Sequence, residues 1–169
     1  MGRDKALLSD DGVSLVERVA GVVREAAGSC TLVAPAGRYE VLGIPVLVDR
    51  WPGEGPLGGI LTALESSDAE RSLVVAVDMP RLPVAFLRRL LAEAEKGSET
   101  VVPIHDDGEM EPLCCVYDAS AAAALRAFFD AGGRRVKDAL RLVPVRTVPA
   151  PDRLLTNVNT PEQWEAVRG

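Results

Sequence analysis

The apolar run Leu73-Val74-Val75-Ala76-Val77 ends on a carboxylate, Asp78, and Pro80 closes it two residues later. A valine-rich run without polar alternation reads as a strand buried on both faces, in the middle of a parallel sheet covered by helices. A strand is therefore expected over 72–77, with Asp78 at its carboxyl end. In open α/β sheets that edge is where ligands bind, near a switch in strand order. An acid in this place can equally cap a loop or the next helix, so its meaning rests on what surrounds it.

Strand-like and helix-like segments alternate through the rest of the chain. Ser14-Leu15-Val16-Glu17 has the form of a capping box. Val16, Val19, Ala20 and Val23 follow on one helical face, and Gly28 is the expected stop. Short strands are expected over 30–34 and 45–49, the second closing on Asp49. A glycine- and proline-rich stretch, 50–59, leads into a short helix through Ile60, Leu61 and Leu64. A helix from Pro83 carries Phe86, Leu87, Leu90 and Leu91, and two strands over 100–104 and 113–117 are placed to pair as a hairpin. An alanine-rich helix over 119–131, a break at Gly132-Gly133, a shorter helix and a strand over 143–148 complete the pattern. Thr160-Pro161-Glu162-Gln163 signals a last helix. Such alternation predicts a three-layer α/β fold with a mainly parallel, mixed sheet, formed by 1–169 as one domain.

Hydrophobic residues make up 47% of the 169, enough for a full core, but aromatics are 4%, so that core must rest on Val, Leu and Ala. A net charge of −6 argues against nucleic-acid binding, which needs a basic face. Small phosphorylated ligands remain open, because a metal ion can bridge acid to phosphate. The three cysteines, Cys30, Cys114 and Cys115, lack zinc spacing and suit a reducing cytoplasm. No apolar run approaches the ~20 residues that span a bilayer, and no signal peptide is recognised, so a cytoplasmic protein without membrane contact is expected.

The chemistry points to strand ends. Asp49 and Asp78 both close strands, and in a parallel sheet both project from one edge. Such a pair can hold a divalent cation or grip sugar hydroxyls, with Asp78 the better metal candidate. Gly55, Pro56, Leu57 and Gly58 let a backbone approach a ligand, and the helix behind them aims its amides at an anion; a plain surface turn is the competing reading. Lys5 is ordinary alone, but beside Asp78 and a nucleotide it would neutralise phosphate charge. Asn157 and Asn159 lie on one side of an extended segment, where paired amides can read a heterocycle or phosphate, or else serve turns and capping. Arg134 and Arg135 put positive charge in a first helical turn, which hints at an anion contact, with plain surface charge the competing reading. His105, the single histidine, stands in an acidic turn and is read as surface.

Seven segments in order resemble the molybdenum cofactor guanylyltransferase family: DKALL (4–8), VLVD (46–49), GPLGGI (55–60), VVAVDMP (74–80), EPLCCVY (111–117), GGRRV (132–136) and NVNTPEQW (157–164). The resemblance implies a Rossmann-like nucleotidyltransferase fold and transfer of GMP from Mg²⁺·GTP to the phosphate of molybdopterin. It also implies that Lys5 contacts the GTP phosphates, Asp49 the nucleotide, and Asp78 both Mg²⁺ and nucleotide. Asn157 and Asn159 would lie towards the pterin. Molybdenum-insertion and molybdoenzyme maturation proteins are the implied partners. Cytidylyl transfer and a noncatalytic binding module are the alternatives. The family opens with a strand and a loop of the form L-A-G-G-x-S-x-R-M-G, whereas Met1-Gly2 matches the end of that loop. The opening strand is therefore expected to be missing, leaving its neighbours with unpaired backbone groups. A further departure is Ala34-Pro35, where the family often carries an asparagine that contacts guanine.

Overall fold

The computed structural model describes residues 6, 9–10, 12–158, 160 and 163–164. In chain order these form β1 (Ser9–Asp10), β2 (Val13–Ser14), α1 (Leu15–Ala27), β3 (Leu32–Ala34), β4 (Val46–Val48), α2 (Pro56–Glu65) and β5 (Arg71–Val75). There follow α3 (Val84–Ala94), β6 (Thr100–Ile104), β7 (Cys114–Asp118), α4 (Ala121–Asp130), α5 (Val136–Leu140) and β8 (Val145–Pro149). A 3₁₀ turn, Asp152–Leu154, comes after β8.

Local chemistry sets the helix ends. Ser14 caps α1: its hydroxyl accepts from the Glu17 amide, and Glu17 Oε2 accepts the Ser14 amide at 2.9 Å. The Ser14 hydroxyl, which also donates to Glu17 Oε2, and then the Ser14 amide hold the Glu17 carboxyl below its ordinary range. Gly28 closes the helix in the left-handed region (φ 82°), donating its N–H to the Arg24 carbonyl at 2.8 Å. Ser14→Ala should cost about 1 kcal/mol of stability, read as a lower urea midpoint with unchanged slope.

The larger sheet runs β5-β7-β6-β8. β7 pairs antiparallel with both β5 and β6, and β6 pairs parallel with β8. The predicted hairpin is β6–β7, closed by the turn in which the His105 amide donates to the Glu109 carbonyl. β3 and β4 form a separate parallel pair. Side chains alternate across the sheet, so each strand serves two cores. Cys115 and Tyr117 pack with α2, α4 and α5, while Cys114 and Val116 pack with α3 on the other face. Three layers result. Among the described residues no helix is long and apolar enough to cross a membrane.

One expectation changes. The strand predicted at 72–77 begins and ends earlier, at 71–75, and it is not buried on both faces: every residue from Arg71 to Asp78 is half-buried. Its neighbour β7 runs antiparallel, and among the described residues no strand pairs with its other edge. Pattern alone places the apolar run in a strand. Burial also needs a neighbour on each side, and among the described residues β5 has one.

Candidate functional site

Asp49 follows β4 directly. Its Oδ1 accepts the Trp51 amide at 2.9 Å and faces Thr62 Oγ1 at 3.3 Å. Thr62 is fully buried in α2; its hydroxyl accepts the Arg50 amide at 3.1 Å and also lies 3.0 Å from the Gly58 carbonyl. One residue thus fastens the acid, the loop and the helix together. The Asp49 amide donates to the Ala34 carbonyl at 2.8 Å, which joins the ends of β3 and β4.

The loop after Asp49 is held from both sides. On the inside, Gly55 opens α2 at φ 86°, ψ 179°, a region essentially reserved for glycine, and Pro56 stands in the first turn. A Cβ on Gly58 would lie 3.1 Å from Trp51 Cβ, so glycine is what lets the loop fold back on the helix. The Leu57 side chain belongs to the core. On the outside, Trp51 packs on Phe129 with ring centroids 5.3 Å apart, and the Arg126 guanidinium lies 4.9 Å over the Trp51 ring. Arg134 stacks 4.0 Å over Phe129 and donates to Glu54 Oε2 at 2.7 Å. Arg134, read as either an anion contact or surface charge, therefore staples the loop to α4; Arg135 is 80% exposed beside Asp138.

Asp78 stands beyond β5, with its Oδ1 closed off from solvent. The main chain around it is fixed by two bonds of 2.7 Å: Ala76 N–H to the Leu113 carbonyl, and Val158 N–H to the Asp78 carbonyl. The second brings a segment 80 residues further along the chain to this strand end. Val158 is buried against Leu15, Val19 and Trp164, while Asn157 beside it is exposed. The structure thus groups Asp49 with Gly55–Gly58, and Asp78 with the Asn157 segment. α2 packs on β3, β4 and β5. Lys5 and Asn159 lie outside the described residues. Thr160 and Gln163 form the predicted capping box, with bonds of 3.2 and 3.3 Å.

Thr62, Trp51 and Val158 carry no mark in the sequence that singles them out, and the contact of Arg134 with Glu54 is likewise not marked there. The Asx-type turn at Asp49 uses only the main-chain N–H of residue 51, so the acid is its one local signal; the other contacts are long-range and carry no local mark. His105, read as surface, is corrected: its side chain is 24% exposed and lies between Glu111 and Asp152. Asp152 stands 47 residues away, and Glu111 lies just beyond the acidic turn that carries the histidine.

A helix-flanked mixed sheet, with an acid and a glycine-led helix after one strand and an acid after the next, is the architecture of nucleotidyltransferases. The 2-C-methyl-D-erythritol 4-phosphate cytidylyltransferase of Thermus thermophilus, 18% identical, shares this fold with a TM-score of 0.73 over 96% of this chain and 91% of that one. Molybdopterin-guanine dinucleotide biosynthesis protein A of Archaeoglobus fulgidus is 26% identical, with a TM-score of 0.78 over 96% of this chain and 87% of that one. The chain belongs to the MobA-like NTP transferase domain family, which matches residues 1–147. The molybdenum cofactor guanylyltransferase of Xanthomonas euvesicatoria pv. vesicatoria is 37% identical over 97% of this chain and 85% of its own length.

Proposed function

We propose that the protein transfers GMP from GTP to the terminal phosphate of molybdenum–molybdopterin. A phosphate oxygen of the pterin forms a bond to the α-phosphorus of GTP, the bond from that phosphorus to the bridging oxygen breaks, and pyrophosphate leaves with the electron pair. The observation that carries this reading is the near full-length kinship with proteins named molybdenum cofactor guanylyltransferase. The strand ends described above supply the groups such a reaction needs.

In this reading the amides at the start of α2 face the nucleotide phosphates, with Gly55 and Gly58 keeping the approach clear and Pro56 and Leu57 contributing main chain. Asp49 contacts the nucleotide through the carboxylate oxygen not engaged by Trp51 and Thr62. Asp49 and Asp78 follow the strands on either side of α2 in the chain, and in this reading both stand at one edge of the fold. Asp78 is a hard oxygen donor of the kind Mg²⁺ takes. Among the described residues no group of three or more His, Cys, Asp or Glu is placed to hold a metal. Mg²⁺ on a nucleotide ordinarily takes one or two carboxylates with phosphate oxygens and water, so Asp78 meets the requirement. When bound, the ion would offset phosphate charge and polarise the phosphoryl oxygens. Lys5 would neutralise charge on the departing pyrophosphate, and Asn157 and Asn159 would lie towards the pterin. The protein's own part is to align two anions and offset their charge.

The free cysteines fit a cytoplasmic setting, where molybdenum-insertion and molybdoenzyme maturation proteins would supply the substrate and take the product. Base choice is the sharpest test. With Mg²⁺ present, GTP should bind at least about tenfold more tightly than CTP in a calorimetric titration. Equal affinities, or a preference for CTP, would overturn the guanylyl assignment.

A further inference from the structure

His105 takes no part in the chemistry proposed above, yet both of its ring nitrogens face carboxylates. Nδ1 lies 3.0 Å from Asp152 Oδ1, and Nε2 lies 3.5 Å from Glu111 Oε2. Asp152 Oδ1 also accepts the Asp106 amide at 3.0 Å. That amide first, and His105 second, hold the Asp152 carboxyl below its ordinary range. Glu111 is itself fixed, being buried with Oε1 accepting the Leu113 amide at 3.1 Å. The three residues come from the turn after β6, the lead into β7 and the 3₁₀ turn after β8. At the far side of the turn, Glu109 pairs with Lys137.

Asp152 lies near the start of a strap, residues 150–158, that runs from the end of β8 to the end of β5. Its first bond is Ala150 N–H to the Ile104 carbonyl at 3.0 Å, and its last is Val158 N–H to the Asp78 carbonyl at 2.7 Å. Within it, Thr156 Oγ1 donates to the Asp152 carbonyl at 3.1 Å, so the geometry at Asp152 is passed along the chain. Leu155 buries the middle of the strap, but an apolar contact has no direction and fixes no rotation. The hydrogen bonds at Asp152 do. Arg153, Thr156 and Asn157 are exposed between these anchors, so the placing of Asn157 depends on how the strap is held.

We propose that His105 is a positioning residue: by gripping Asp152 it sets the lie of the strap, and so where Asn157 presents its amide to the phosphate-bearing pterin. The second half rests on the function proposed above; the first half rests on geometry alone. The grip depends on a donor at the place of Nδ1. Asparagine at 105 keeps a short-reach N–H for Asp152, whereas glutamine carries its amide further out, towards Glu111.

Hydrogen exchange on the full chain separates these cases. Exchange of the Asp106 and Val158 amides should speed by about tenfold in His105→Ala and His105→Gln, the loss of one charge-assisted bond, and stay within about twofold of the parent in His105→Asn. In GMP transfer, His105→Gln should raise KM for molybdenum–molybdopterin about five- to tenfold while kcat and the GTP Kd stay within about twofold, with His105→Asn restoring KM. If His105→Ala does not fold, the glutamine–asparagine contrast still decides. Equal exchange in those two variants, or a loosened strap with unchanged KM, overturns the proposal. If the parent transfers no GMP, the functional reading fails, and the exchange comparison still determines whether His105 holds the strap.

Discussion

Asp78→Asn is expected to lower the rate of GMP transfer by roughly three orders of magnitude, the several kcal/mol that a metal-held phosphoryl centre supplies. Asparagine keeps the size of the side chain and removes its charge. The bond that ties this strand end to the strap uses the Asp78 carbonyl, not its side chain, so the variant keeps that tie. A urea midpoint near that of the parent, together with lost Mg²⁺-dependent GTP binding, is the combined signature. Activity within about tenfold of the parent would show that Asp78 does not hold the ion.

Gly55→Val should act through the backbone. Space is not the obstacle, since nothing lies within 4 Å of where a Cβ would stand. The obstacle is φ 86° with ψ 179°, which a β-branched residue adopts at a cost of about 1–3 kcal/mol. Escaping that cost means turning the first amides of α2 away from the phosphates, so the GTP Kd should rise roughly 5- to 100-fold. Gly58 is constrained differently: there it is Trp51 Cβ, 3.1 Å away, that a larger side chain would meet. A Gly55→Val protein that loses stability but binds GTP like the parent would mark the loop as a structural turn.

The features legible in the sequence are those set by near neighbours. The capping box at Ser14, the Gly28 stop, the β6–β7 hairpin and the break after α4 all follow from residues a few places apart. Asp49 was legible as a strand-ending acid, and its bond to the Trp51 amide is a turn of the kind such acids make. The two-sided burial expected of 72–77 failed because burial depends on which strands flank β5, and the apolar run does not encode that. His105 was misread because Asp152 reaches it across 47 residues. The Arg134–Glu54 staple spans 80 residues, and what looked like a free basic first turn is a loop anchor.

The most direct test follows the phosphorus. With GTP, Mg²⁺ and molybdenum–molybdopterin, label in the α-phosphate should appear in a pterin dinucleotide, and label in the γ-phosphate should leave as pyrophosphate. Release of γ-label as free phosphate, with all α-label kept in GDP, would contradict the account: the strand ends would then serve hydrolysis and not nucleotidyl transfer.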